Sequence, residues 1–284
     1  MTHKNTERKK ITPMFLRDKK AKGEKISMLT AYDYSIATVL DKSGIDTVLV
    51  GDSLGNVILG YDSTVPVTME EMLHHCKAVR RGVKYAFLIG DMPFMSYHVS
   101  IEEAIKNAGR FMKEAGCDAV KLEGGVHMAD TIYSLADIGI PVVGHIGYTP
   151  QTAGSLDGIV QGKDVETAQH LLDSAIAVEE AGACMLVLEC VPELLSKLIT
   201  ESINIPTIGI GAGAFCDGQV LVINDMLGLF EKFVPKFVKQ YASLYPLIEE
   251  AVKSYIKEVT NGEFPKQEHA FKMDETVLMH LKKG

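Results

Sequence analysis

Short apolar runs alternate with amphipathic stretches along the chain from residue 26 onward. A short run rich in Val, Ile and Leu is typical of a strand buried on both faces of a parallel sheet. Apolar residues recurring every three or four positions are typical of helices between such strands. The predicted strands lie at residues 26–30, 47–51, 86–90, 119–123, 141–145, 184–189, 206–210 and 220–224. The predicted helices include residues 69–81, 101–115, 128–138, 165–181 and 193–202.

Eight strand–helix units in succession predict an α/β fold, a single-domain (β/α)8 TIM barrel, for which about 250 residues are typical. We expect an N-terminal arm or helix at residues 1–25, the catalytic barrel at 26–271 and a polar C-terminal tail at 272–284. Residues after 228 are expected to form helices that close the barrel. The seventh interval breaks the pattern, because about ten residues are too few for a crossover helix of normal length.

Composition narrows the class of protein. The chain has 284 residues, 46% of them hydrophobic and 23% charged, which is ordinary for a globular domain. A formal net charge of −8 gives no general electrostatic support to a nucleic-acid partner. No apolar run approaches the roughly 18 residues that predict a membrane span. The five cysteines include no C-x-x-C pair, so we expect free thiols and a reducing cytoplasm.

An acidic residue stands at or directly after the end of four predicted strands. Ligand sites of parallel α/β proteins lie at the carboxyl ends of the strands. Side chains far apart in sequence should therefore meet at one rim and form a carboxylate-rich site for a hard cation. These four residues are Asp52, Asp91, Glu123 and Glu189.

Each of these four positions suggests particular chemistry. Asp52 and Asp91 together are the kind of oxygen ligands that Mg²⁺ prefers, although each alone also fits a turn at a strand end. Lys121 and Glu123 are two residues apart in a strand and so face the same side. They form either a functional pair or a structural ion pair inside the barrel. Glu189 ends a very apolar strand, where burial should raise its pKa and suit it to act as a general base.

Two further features of the sequence have more than one interpretation. His145 fits equally well as a residue lining the site or as a hydrogen-bonded core histidine. Residues 209–214 match the dinucleotide fingerprint G-x-G-x-x-A, but that fingerprint needs a full helix before the next strand, and the interval here is too short. A glycine-rich strand end that lets backbone approach a ligand is the better interpretation.

Taken in order, many segments resemble the ketopantoate hydroxymethyltransferase family from about residue 11 to 271. The resemblance implies a Mg²⁺-dependent (β/α)8 barrel that forms cytoplasmic homodecamers. The matching segments are MLTAYD at 28–33, VGDSLG at 50–55, DST at 62–64, PVT at 66–68, AVRRG at 78–82, DMPFM at 91–95, KLEGG at 121–125, GHIGYTPQ at 144–151, LECVP at 188–192, IGIGAG at 208–213 and DGQVLV at 217–222.

The family's activity implies roles for individual residues. Asp52 and Asp91 would bind Mg²⁺ with support from Glu123, and the keto acid 3-methyl-2-oxobutanoate would chelate the metal. Ser53 and Lys121 would hold its carboxylate, and Glu189 would be the base. The enolate would then attack the methylene group of methylene-tetrahydrofolate, giving 2-dehydropantoate and tetrahydrofolate.

Three segments depart from the family, namely residues 152–159, the region around residues 231–233 and the tail past residue 271, and one other enzyme class remains an alternative. Residues 152–159 lack the Phe-Gly-Gly-Tyr-like stretch often found there, which puts the folate contacts of this loop in doubt. The alternative is a phosphoenolpyruvate mutase or isocitrate lyase-like enzyme, also a Mg²⁺-dependent barrel acting on 2-oxo acids. Its Lys-Lys-Cys-Gly-His-like loop has no convincing counterpart in this chain.

Overall fold

The computed structural model of the protein describes residues 8–156, 158–229 and 234–281. Eight parallel strands close into one barrel, in which each strand pairs with its sequence neighbours and β8 pairs with β1. The (β/α)8 barrel predicted from the alternating pattern is confirmed. The strands are β1 (Ile26–Thr30), β2 (Thr47–Val50), β3 (Phe87–Asp91), β4 (Ala119–Glu123), β5 (Val142–Gly147), β6 (Met185–Glu189), β7 (Thr207–Ile210) and β8 (Gly218–Leu221).

The helices surround the barrel, and several begin at side-chain caps. At the start of one of them, Thr68 and Glu71 satisfy each other's backbone N–H groups in a capping box. The helices are α1 (Pro13–Ala21), α2 (Tyr34–Ser43), α3 (Leu54–Val57), α4 (Met69–Gly82), α5 (Ile101–Lys113), α6 (Ala129–Asp137), α7 (Val165–Glu180), α8 (Glu193–Ser202), α9 (Ile223–Met226), α10 (Leu244–Thr260) and α11 (Glu275–Met279), with short 3₁₀ turns at Val126–Met128, Pro150–Ser155 and Gln267–His269.

The interior of the barrel and its helical shell form separate apolar cores. Because successive strand residues face opposite sides, Phe87 and Ile89 pack inside the barrel while Leu88 packs outward against the helices. Ile11 and Leu16 belong to the interior core. Helix α1 therefore covers the amino-terminal end of the barrel and leaves the carboxyl end open.

The N-terminal arm is tied to the turns that precede the strands. Lys19 lies 2.9 Å from Asp46, and Lys20 lies 3.0 Å from Asp217. The arm predicted at residues 1–25 thus contains a docked helix, although residues 1–7 lie outside the described part of the chain, as do residues 282–284 of the predicted tail.

Strand β8 differs from the predicted range of residues 220–224. It begins two residues earlier, at Gly218, and ends at Leu221. Gly218 pairs with Ile26 so closely that a Cβ there would lie 2.4 Å from the Ile26 carbonyl oxygen. A glycine carries no hydrophobic signal, so the start of this strand was missed. The apolar residues after Leu221 instead begin α9, whose Ile223 N–H donates to Thr30 Oγ1.

Helix α10 follows the barrel but buries none of its residues. Pro246 lies in its first turn, where proline is tolerated, and therefore does not interrupt it. Over the described residues, no helix covers the cavity that Leu29 and Leu221 line on the outer face of β8 and β1. The C-terminal helix predicted to close the barrel is tied to it at its start, where Leu244 and Tyr245 donate to the Leu227 and Gly228 carbonyls, but it buries none of its residues against the described part of the chain. Within the described ranges, no helix is long and apolar enough to cross a membrane.

Candidate active site

A cavity of about 480 Å³ lies at the carboxyl ends of the barrel strands. Neighbouring parallel strands end at the same edge, so residues distant in sequence meet there. The cavity is lined by all six residues singled out from the sequence, namely Asp52, Ser53, Asp91, Lys121, Glu123 and Glu189.

A buried ion pair lies at the base of the cavity. Asp91 pairs in register with Lys121 across β3 and β4, and Lys121 Nζ lies 2.7 Å from Asp91 Oδ1. The two side chains are only 1% and 5% exposed. Burial raises the pKa of Asp91 to about 7, against the lowering effect of Lys121. Burial lowers the pKa of Lys121, but the carboxylates of Asp91, Glu123 and Asp52 outweigh it, so the amine stays protonated.

A tyrosine holds Ser53 at the start of the β2 loop. Ser53 Oγ lies 2.8 Å from the Tyr32 hydroxyl, and Tyr32 is buried in the helical core. A Cβ at Gly51 would approach Ser53 Oγ to 2.9 Å. The glycine before Asp52 therefore leaves the room that this hydroxyl needs.

A neutral histidine lies between the ion pair and Glu189. From the sequence, His145 could equally line the site or be a core histidine. The structure shows that it is both buried and part of the cavity wall. Burial and the charge of Lys121 lower its pKa well below the usual range. Because Lys121 Nζ lies 3.2 Å from Nδ1 and donates to it, the ring proton belongs on Nε2. That nitrogen faces Glu189 Oε2 at 3.3 Å.

Glu189 is the carboxyl group best suited to exchange a proton. It ends β6 with its side chain 17% exposed to the cavity. Burial raises its pKa to about 8, because its neighbours do little to offset the loss of hydration. A carboxylate with such a pKa is basic enough to take a proton from carbon acids near neutral pH.

Gln151 and Tyr97 form a buried network that the sequence interpretation missed. Gln151 Nε2 donates to Asp52 Oδ2 and to the Met92 carbonyl, both at 2.9 Å, and its backbone N–H donates to Glu123 Oε2 at 3.1 Å. The Tyr97 hydroxyl donates to Gln151 Oε1 at 2.6 Å and accepts from the Glu123 N–H. The network fixes two carboxylates through loops from β3 and β5, and no periodicity marks such loop residues.

We expect Gln151→Leu to lower the free energy of unfolding by about 2–3 kcal/mol, because it leaves several buried polar groups without partners. Urea unfolding of the wild type and variant at pH 7 measures this loss. Gln161→Leu is the matched control, since among the described residues its side chain donates to the nearby Gly158 carbonyl alone. Equal losses in the two variants would show that the buried network contributes no more to the free energy of unfolding than the hydrogen bond of Gln161 does.

The carboxylate oxygens of the cavity are suited to a hard cation. Glu123 Oε1 is buried without a hydrogen bond among the described residues, whereas the buried Asp91 Oδ1 has Lys121 Nζ at 2.7 Å as its partner. Over the same part of the chain, no group of three His, Cys, Asp or Glu side chains is arranged to hold a metal by itself. Mg²⁺ commonly takes only one or two protein carboxylates and completes its shell with water and substrate oxygens. The residues fit that kind of site.

The loops beside the cavity differ in what they contribute. Ala153 of the departing segment at 152–159 lines the cavity, and Asp157 lies outside the described residues. The glycine-rich segment after β7 runs through residues 211–217 directly into β8 without a helix. It therefore lacks the helix N-terminus on which a dinucleotide fingerprint depends.

This barrel, with a buried lysine, buried carboxylates and Glu189 around a cavity at its carboxyl end, belongs to the class of (β/α)8-barrel enzymes, whose active sites lie at that end. The sequence model of the family described as ketopantoate hydroxymethyltransferase matches residues 10–267. The chain belongs to the ketopantoate hydroxymethyltransferase family.

Relatives match over nearly the full length of the chain. The 3-methyl-2-oxobutanoate hydroxymethyltransferase of Syntrophomonas wolfei is 58% identical over 96% of this chain and 99% of its own. The protein of the same name from Desulfotalea psychrophila is 60% identical over 89% of this chain and 91% of its own. The resemblance inferred from the motifs is confirmed.

Solved structures with low sequence identity share the fold. A phosphoenolpyruvate phosphomutase from Streptomyces platensis has a TM-score of 0.61 at 14% identity, covering 94% of each chain. A phosphonopyruvate hydrolase in complex with oxalate and Mg²⁺ has a TM-score of 0.60 at 11% identity, covering 95% of this chain and 94% of its own. These likenesses show a common barrel architecture.

Proposed function

We propose that this protein transfers a hydroxymethyl group from methylene-tetrahydrofolate to 3-methyl-2-oxobutanoate, giving 2-dehydropantoate and tetrahydrofolate in pantothenate biosynthesis. Membership of the family supports the reaction. The observation that carries its mechanism is the buried Glu189, whose pKa is raised to about 8 in a cavity that also holds Lys121 and Asp91.

The proposed cation is Mg²⁺, held by Asp52 and Asp91 with Glu123 supporting it through water. The buried Glu123 Oε1, which has no hydrogen bond among the described residues, and the carboxylates of Asp52 and Asp91 on the same cavity favour this assignment. When bound, Mg²⁺ supplies Lewis-acid chemistry, which polarises the keto group of the substrate and acidifies the proton on carbon 3.

Substrate binding is assigned to the charged and polar groups around the ion pair, with Asp52 and Asp91 also contacting the substrate. Lys121 and Ser53 hold the substrate carboxylate, for which a protonated amine and a hydroxyl are suitable donors. The Tyr32 hydroxyl orients Ser53 by its 2.8 Å contact. Neutral His145 adds no charge to the cavity, so Lys121 remains free to attract the anion.

Glu189 removes the proton from carbon 3, and the resulting carbanion forms the new carbon–carbon bond with the methylene group of the folate. The two C–N bonds that hold the methylene group to N5 and N10 of the folate break, and one water supplies the hydroxyl group. The proton held by Glu189 and the remaining proton of the water pass to these two nitrogens, and tetrahydrofolate leaves. His145 Nε2 lies 3.3 Å from Glu189 Oε2 and so borders the carboxyl group that carries the proton.

Assembly into a cytoplasmic homodecamer is the proposal for the whole molecule. Apolar residues repeat along one side of α10 and are about half exposed, and the outer face of β1 and β8 is uncovered. Both surfaces favour self-association. All five cysteines are free, which suits a reducing compartment. The exposed residues of α10 are Ile248, Val252, Tyr255, Ile256 and Val259.

Proton NMR of 3-methyl-2-oxobutanoate in D₂O tests the proposed function. We expect the protein with Mg²⁺ to exchange the carbon 3 proton for deuterium without folate, and a chelator to stop the exchange. With methylene-tetrahydrofolate added, 2-dehydropantoate should accumulate. A wild-type protein that neither exchanges the proton nor forms 2-dehydropantoate would rule the assignment out.

A further inference from the structure

The central cavity is larger than its proposed small substrate needs. Cavities of about 300–1,000 Å³ accommodate drug-sized ligands, and this one measures about 480 Å³. A branched five-carbon acid at the Lys121 end leaves its outer part free. This outer part is the side of the cavity across the barrel from β4, where the lining includes Thr64 on the β2 loop, Asp225 on α9 after β8, and Phe237.

Asp225 is an unpartnered carboxylate in this outer part. It lines the cavity and is about half-buried, and its side chain has no hydrogen bond or ion pair with any residue in the described ranges. The carboxylates of Asp52, Asp91 and Glu123 each accept a hydrogen bond. Leaving a carboxylate partly dehydrated and unpaired costs free energy, so Asp225 is available for a ligand with hydrogen-bond donors.

A second polar group on the same cavity lacks a partner. Thr64 is 6% exposed, and its hydroxyl has no hydrogen-bond partner in the described part of the chain. Buried hydroxyls are normally satisfied, so an unsatisfied one lining a cavity indicates a missing ligand or water.

The wall next to Asp225 is aromatic and aliphatic. The Phe237 ring packs on Gly211, where a Cβ would lie 2.8 Å from the ring and φ is +65°. Only glycine fits both the backbone conformation and the close approach. Val222, Pro235 and Val238 extend this apolar wall. A flat heteroaromatic ring with a row of donors on one edge would match the wall and the carboxylate together.

We propose that the outer part of the cavity binds the pteridine ring of the folate donor, with the Asp225 carboxylate accepting hydrogen bonds from its N3–H and 2-amino groups. These two neighbouring donors match the two oxygens of a carboxylate as a guanidinium does. Phe237 and the aliphatic wall contact the ring face. This inference rests on the proposed function and names where its second substrate binds.

Calorimetric titration of the Mg²⁺-loaded protein with tetrahydrofolate tests the site. Hydrogen bonds to a charged group contribute about 1.5–3 kcal/mol, so we expect Asp225→Asn to raise the Kd at least about tenfold. Asp62→Asn is the matched control, because Asp62 lines the same cavity but is exposed. It should keep the Kd within about twofold, since exposed charges are well screened.

A folate altered at the recognised edge separates a direct contact from a loss of structure. A 2-desamino analogue of tetrahydrofolate should bind the wild type about tenfold more weakly than tetrahydrofolate. For Asp225→Asn, the Kd values of the two compounds should differ by less than about threefold. The substitution has already weakened the acceptor of the 2-amino group, so removing that group costs less. The wild-type comparison needs no variant and stands even if the substitution affects folding.

The outcomes distinguish the site from the proposed function. If the wild type forms 2-dehydropantoate but binds both folates equally, or if Asp62→Asn weakens binding as much as Asp225→Asn, the pteridine assignment is overturned while the proposed function stands. If the wild type neither exchanges the carbon 3 proton nor forms product, the proposed function fails, and the folate site fails with it.

Discussion

Glu189→Gln is expected to reduce both proton exchange at carbon 3 and formation of 2-dehydropantoate by about a thousandfold or more. A positioned general base typically contributes about 10²–10⁴-fold to a rate. Glutamine keeps the size and the hydrogen-bonding oxygen of the side chain but cannot accept a proton. Deuterium exchange by NMR, with and without folate, measures both steps on one sample.

The pH dependence of exchange gives an independent signature of the same group. Because the pKa of Glu189 is raised to about 8, only part of the wild-type protein carries the ionised base at pH 7. Exchange should therefore rise with pH and level off above about pH 8. Glu193→Gln is the matched control, since Glu193 is an exposed residue near Glu189 at the start of α8. A wild-type rate that stays flat from pH 6 to 9 would argue against Glu189 as the base.

Glu189→Gln should also stabilise the fold. A carboxyl whose folded pKa is raised binds protons more tightly in the folded state, so its ionisation costs stability as pH rises from about 4.3 towards 8. Glutamine removes that cost at neutral pH. We expect Glu189→Gln to raise the free energy of unfolding by about 1–2 kcal/mol at pH 8 and by little at pH 4.5. Many active sites show the same trade of stability for activity.

The sequence predicted the barrel because its strands are buried on both faces. Runs such as residues 48–50 and 185–188 are apolar throughout, so local composition identifies them without tertiary information. Their carboxyl ends meet by geometry alone, which is why Asp52 and Glu189 could be placed at one rim. The predicted start of β8 was two residues too late. Pairing of Gly218 with β1, rather than hydrophobicity, sets where this strand begins.

The supporting contacts of the site could not be inferred in the same way. Gln151 reaches Asp52 and the Met92 carbonyl across loops far apart in sequence, and only the folded chain shows those distances. Tyr97 is similar, since its hydroxyl lies between Gln151 and the Glu123 N–H. Helix α10 has an ordinary amphipathic pattern, which predicts a helix but not what its apolar side packs against.

Lys121→Met should destabilise the protein strongly because Lys121 is the cation beside several buried carboxylates. Its amine lies 2.7 Å from Asp91 and 3.9 Å from Glu123. Removing one partner of a buried ion pair costs about 3–5 kcal/mol, since the remaining charge stays buried and unpaired. Urea unfolding at pH 8, at fixed protein concentration and with a chelator present, measures the loss without a cation replacing the amine.

The destabilisation should shrink as the pH falls, which separates an electrostatic effect from poor packing. Without Lys121 the pKa values of Asp91 and Glu123, already raised by burial, rise further, so their ionisation costs stability increasingly as the pH climbs above about 4. At pH 5 both carboxyls are largely protonated in the folded variant, and little of the penalty remains.

Lys19→Met is the control, because the ion pair of Lys19 with Asp46 is more exposed, at 15% and 13%. Its loss should cost about 1 kcal/mol. A loss of equal size at pH 5 and pH 8 would mean that methionine merely packs badly in the barrel and that Lys121 does not hold these carboxylates in their charged form.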